Sequence, residues 1–197
     1  MIASSTEKIK SARTLAFEAL YEIFEKNAYA NLTIQRILRR IPLKKEERHL
    51  LTELIYGVCR KYNYCLWLIN LISDRPMSKI HPVVRILLLL GIYQIVFLDR
   101  IPDSAAVNET VKIAKRITHV GNLKFINGVL RNFLRRRESL VLPDSTFDRF
   151  FYESLIYNQP EWLIQFFEKK YGMEQSKKIL KAFNTVPDTC IRVNTLK

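Results

Sequence analysis

One stretch limits what this chain can become. Residues 83–98 read VVRILLLLGIYQIVFL, apolar on every side of a helix and interrupted only by Arg85, Gly91 and Gln94. A helix without a polar stripe has to be surrounded by others. At about 1.5 Å per residue the run measures roughly 24 Å, short of the ~30 Å hydrocarbon layer of a bilayer. Arg85 also argues against a membrane span. The expectation is a central helix wrapped by amphipathic ones. Pro82 suits its first turn, and Pro102 pushes Ile101 out of helical geometry, which closes the helix at residues 99–102.

The flanking sequence supplies the wrapping. Ala12, Leu15, Ala16, Ala19, Leu20, Ile23 and Phe24 recur at three and four residues, the stripe of a helix over 7–27. A short helix over 32–41 stops at Pro42. A long one follows over 44–71, in which Gly57 invites a close neighbour. Beyond Pro102, Asp103 or Ser104 is placed to cap a helix that Gly121 ends, and Asn122 to cap the next, over 123–137. Residues 139–144 carry a proline and mark the first composition break. Helices are then expected over 144–158, from Pro160 to Gly172, and over 174–183. Residues 190–197, CIRVNTLK, alternate apolar and polar like a strand, yet no other segment offers a strand partner. The reading is all-α, with a chain that stops inside a second domain.

Charge points to a partner. The net charge is +13, and a chain that basic commonly meets a polyanion. The cations cluster: Lys112, Lys115, Arg116, Lys124, Arg131, Arg135, Arg136 and Arg137 fall in a stretch without Asp or Glu. Helical spacing puts Asn108, Lys112, Lys115, Arg116 and His119 on one face. Lys124, Asn127, Gly128, Arg131 and Arg135 share one face of the next helix, opposite Phe125, Ile126, Val129, Leu130 and Phe133. Two cationic stripes on consecutive helices suit a phosphate backbone. Lys8, Lys10 and Arg13, at the start of the first helix, join them as candidates. Asn108, Glu109 and Asn127 read as a polar network, with Glu109 and Arg131 able to pair.

Other chemistries find no support. Cys59, Cys65 and Cys190 lack metal-ligand or disulfide spacing, and His49, His81 and His119 share none. The spacing gives no metal site. No two glycines are close enough for a nucleotide loop, and no Pro-Cys pair marks a nucleophile. The N-terminus lacks a signal peptide's apolar run, so a cytoplasmic protein without a membrane partner is expected.

Several stretches, in order, resemble the NusB-like N-terminal region of bacterial 16S ribosomal RNA cytosine-5 methyltransferase B, the RsmB or Sun group. They are Ala12–Ala16, Leu54–Val58, Leu98–Pro102, Ala105–Glu109 with Ala114–Arg116, and Phe125–Asn132. Pro160–Leu163, Lys170–Gly172 and Ile191–Lys197 are similar to the start of that family's catalytic half. Gln159 departs from the family, where a histidine precedes the proline.

The resemblance implies a NusB-like RNA-binding bundle over 1–138, a linker over 139–149, and a truncated start of the methyltransferase region over 150–197. It implies 16S ribosomal RNA and the protein's own catalytic domain as partners. It also implies S-adenosylmethionine as the parent enzyme's cofactor. No catalytic residue falls within this chain, which is expected to bind no cofactor and to be inactive alone. Two rival readings are a NusB-like antitermination factor that binds RNA and a ribosomal protein, and a docking module that touches no RNA.

Overall fold

In the computed structural model, which describes residues 11–185 and 190–195, the apolar run forms the helix α5, Pro82–Phe97. Its side chains from Ile86 to Gln94 are all buried. Arg85 is answered by Glu25, 2.5 Å away on α1 (Ala12–Lys26). His81 begins α5, its Nδ1 accepting the Val83 N–H at 3.3 Å.

Around α5 stand α2 (Ala30–Arg40), α3 (Lys45–Arg60), α4 (Tyr62–Ile72), α6 (Asp103–Ile117) and α7 (Val120–Arg136), together with α1. Helices α1, α3, α4, α6 and α7 pack directly on α5; α2 lies on α1 and α3. They form one unit, residues 1–141. The long helix expected over 44–71 is in fact two. Lys61 leaves helical geometry at φ −111°, ψ 20°, so α3 can lie along α1 while α4 turns to reach α7. Nothing in the local sequence marks that break; it is a tertiary demand.

One close approach sets the spacing of α3 and α5. A Cβ built on Gly57 would lie 1.9 Å from the Tyr93 Oη, so the Tyr93 ring of α5 packs directly on the bare backbone of α3. Tyr93 is buried and donates to Glu53 Oε1 at 2.6 Å. Burial raises the Tyr93 hydroxyl pKa well above its usual range, and Glu53 adds to it. Burial also pushes the Cys65 thiol up to about 12 and that of Cys59 up to about 11.

The second unit, residues 142–197, holds α8 (Arg149–Tyr157), α9 (Glu161–Tyr171) and α10 (Met173–Phe183). Asp148 caps α8 by accepting the Phe151 N–H, and Arg149 forks onto both oxygens of Glu168 at 2.7 and 2.9 Å. The core here is small: Tyr157, Ile164 and Leu180, flanked by Phe150 and Phe167. Trp162 and Phe166 stand on the opposite side of α9 and are exposed. The strand expected over 190–197 does not form in 190–195, and 196–197 lie outside the described residues. A strand needs a partner ladder, and every regular element described is a helix.

Candidate nucleic-acid interface

Helices α6 and α7 form an antiparallel pair laid across α5, and Gly91 fixes how they lie. A Cβ there would come within 2.8 Å of Leu130 Cδ2 on α7 and 3.4 Å of Thr110 Oγ1 on α6. Both helices therefore aim inner positions at one spot on α5. Thr110 is fully buried yet satisfied, donating to the Ala106 carbonyl at 2.8 Å. At 100° per residue, the opposite side of each helix faces out. That side of α6 carries Asn108, Lys112, Lys115 and Arg116; that of α7 carries Lys124, Gly128, Arg131 and Arg135. All eight are exposed.

Each end of the pair is fastened. At one end Arg137 Nη1 donates to Asp103 Oδ2 at 2.8 Å, joining the start of α6 to the residue after α7. At the other, α6 stops at Ile117, earlier than Gly121, and the cap of α7 is His119 rather than Asn122. Its Nδ1 accepts the Gly121 N–H at 3.1 Å. An imidazole nitrogen here does what a hydroxyl or carboxylate usually does. Neither Asp103 nor Ser104 caps α6; Pro102 holds that position.

The polar network differs from its expected wiring. Glu109 pairs with Lys112 on its own helix at 2.6 Å, not with Arg131. Side chains three residues apart on one helix are neighbours. Arg131 Nε instead donates to Asn127 Oδ1 at 3.0 Å, one turn back, and Asn127 is half-buried. Arg13 is half-buried and turned inward: its Nε donates to Gln94 Oε1 at 2.7 Å. Gln94 is fully buried and donates in turn to the Leu90 carbonyl. Lys8 and Lys10 lie outside the described residues.

One cation that spacing could not find borders this surface. Arg75, from the α4–α5 connection, lies over the Phe125 ring with its guanidinium carbon 4.5 Å from the centroid. Asn132 Nδ2 ties the same flank of α7 to the Ile72 carbonyl at 3.1 Å. Arg75 is about fifty residues from α7 in sequence, so only the fold brings it there.

Gly57, Gly91, Gly121 and Gly128 are each inside a helix and Gly172 ends one, so none builds a nucleotide-binding loop. No group of three or more His, Cys, Asp or Glu among the described residues could hold a metal. No described helix is long and apolar enough to cross a membrane.

Known proteins share both parts of the chain. The NusB family matches residues 10–135, and the RsmF/B-like methyltransferase, ferredoxin-like domain matches residues 159–197. A probable ribosomal RNA small subunit methyltransferase B from Synechocystis is 36% identical over 95% of this chain. A protein of the same description from Bacillus subtilis is 35% identical over 96% of it. The chain spans 42% of the length of either relative. Among solved structures, the antitermination factors NusB and NusE in complex with dsRNA give a TM-score of 0.58 at 20% identity, covering 63% of this chain and 93% of that one. NusB of T. maritima gives 0.56 at 24% identity, covering 70% and 94%. These two likenesses show the fold. By its sequence over residues 10–135 the chain belongs to the NusB family, with an RsmF/B-type ferredoxin-like segment following in the same polypeptide.

Proposed function

We propose that this chain is the RNA-holding part of an S-adenosylmethionine-dependent 16S ribosomal RNA cytosine-5 methyltransferase. Residues 1–138 bind the RNA, 139–149 link, and 150–197 begin the methyltransferase region. The observation that carries this is the α6–α7 pair: two exposed cationic faces on adjoining helices, with no Asp or Glu between Lys112 and Arg137. Lysine and arginine displayed in this way neutralise phosphates and release their counterions. Relatives described as ribosomal RNA methyltransferases support the substrate class. The RsmF/B-type segment after residue 159 favours this reading over an antitermination factor. The reacting domain, its cofactor and its cysteine nucleophile belong to the parent protein, so this chain alone is inactive. The parent works in the cytoplasm, with its catalytic domain as this region's second partner.

Binding of the chain to a 16S ribosomal RNA fragment, measured across salt, tests the proposal. The affinity should fall steeply as salt rises, and Lys115→Glu with Arg131→Glu should weaken binding and flatten the slope. Binding indifferent to salt, or untouched by that double variant, overturns it.

A further inference from the structure

We infer that the α6–α7 face takes the sugar-phosphate backbone of an RNA duplex rather than unpaired bases, and that Arg75 is a further member of it. The inference rests on the RNA-binding reading above and specifies its ligand. Proteins that read single-stranded RNA offer exposed aromatic rings on which splayed bases stack. This face offers no exposed Phe, Tyr or Trp; its one exposed ring is the His119 imidazole, whose Nδ1 is engaged in capping α7. Helix α6 has no aromatic residue; of the two on α7, Phe133 is buried in the core. The other, Phe125, is half-buried and already covered by the Arg75 guanidinium. The exposed Phe, Tyr or Trp residues described in the first unit are Tyr29 and Tyr56, on neither helix.

What the face does offer is charge and amide. Lys124 to Arg135 span roughly 16 Å along α7, with Gly128 between them. A Cβ there would meet nothing within 4 Å, so the backbone itself is open at that point. Asn108 and Asn127 add hydrogen-bonding groups suited to 2′-hydroxyls and phosphates. Charged and amide groups on a firm surface, without an exposed Phe, Tyr or Trp, match the way duplex RNA is recognised: by shape, phosphate and 2′-hydroxyl. Arg75 extends the charge past the flank of α7. Its guanidinium carbon sits over the Phe125 ring while the residue is exposed, so its forked donors remain accessible to phosphate.

The test compares a 16-base-pair RNA duplex with an unstructured 16-nucleotide RNA, by fluorescence anisotropy at about 100 mM salt, where phosphate contacts still dominate. The duplex should bind at least about tenfold more tightly per molecule. Arg75→Ala should weaken duplex binding several-fold and lower the salt slope by about one. Arg75→Lys keeps a charge but not the forked guanidinium, and should recover part of that loss. Thermal unfolding of both variants should match the parent chain, since Arg75 is exposed. Equal or tighter binding of the single strand overturns the duplex inference while leaving RNA binding intact. Absence of binding to both RNAs overturns the RNA reading itself. A duplex preference unchanged by Arg75→Ala removes Arg75 from the face.

Discussion

The ring of Tyr93 occupies the place where a side chain at Gly57 would be. A Cβ at 57 would fall 1.9 Å from its Oη and 2.1 Å from its Cζ, distances at which something must move. The neighbour is a buried ring held by Glu53, not a free end. Gly57→Ala should therefore cost about 3 kcal/mol or more, at the upper end of overpacking effects, despite alanine's better helix propensity. Urea denaturation measures it. Tyr93→Leu in the same chain should recover part of the loss, a non-additivity that identifies the clash as the cause.

Arg13 and Arg131 are both cations of the proposed RNA-binding set, and the fold separates them. Arg13 is tied to the fully buried Gln94, while Arg131 is exposed on the α7 face. Arg13→Ala leaves a buried amide oxygen without its donor and should lower stability by about 1–3 kcal/mol. Arg131→Ala should leave stability nearly unchanged and weaken RNA binding more than Arg13→Ala does. Parallel unfolding and binding curves for the two variants check this.

Two histidines act as helix caps. His81 Nδ1 accepts from Val83 N–H and His119 Nδ1 from Gly121 N–H. Replacing either by alanine should cost about 1 kcal/mol, the usual size of a lost N-cap. Asparagine at the same position should restore most of it, whereas a merely packed histidine would show no such recovery.

The thiols should divide sharply. Cys190 is exposed, while burial lifts Cys59 to about 11 and Cys65 to about 12. The thiolate is the reactive form, so at pH 8 one cysteine should react with a disulfide reagent in the folded chain, and all three after unfolding. The same shifts act on stability. Both folded pKa values lie above the unfolded value near 9, so the contribution is complete below about pH 9 and is lost as pH rises toward 12. Tyr93, also raised, adds in the same direction. Unfolding midpoints recorded from pH 8 to 11 should fall across that window.

The parts of this fold that were legible in the sequence are those set by local pattern. A run apolar all round could only be a central helix, and α5 spans Pro82–Phe97 where 83–98 was expected. The basic spacing on α6 and α7 was legible too, because helical period alone puts those cations on the outer sides. What tertiary packing decides was hidden. Lys61 breaks a helix with no glycine or proline to announce it. His119 caps α7 where Asn122 was the expected residue, because α6 ends four residues before Gly121. Glu109 chose a neighbour on its own helix over Arg131. Arg75 reaches Phe125 across the fold, a contact that no window of sequence contains.

The absent methyl group at Gly91 has a reach beyond the interior. Because Thr110 and Leu130 close over that one bare carbon, the gap between the two outward rows of positive charge is set from underneath. A bulkier residue there would prise the rows apart without touching any of them. Its signature would be a changed ionic footprint on RNA, produced from a position no solvent reaches.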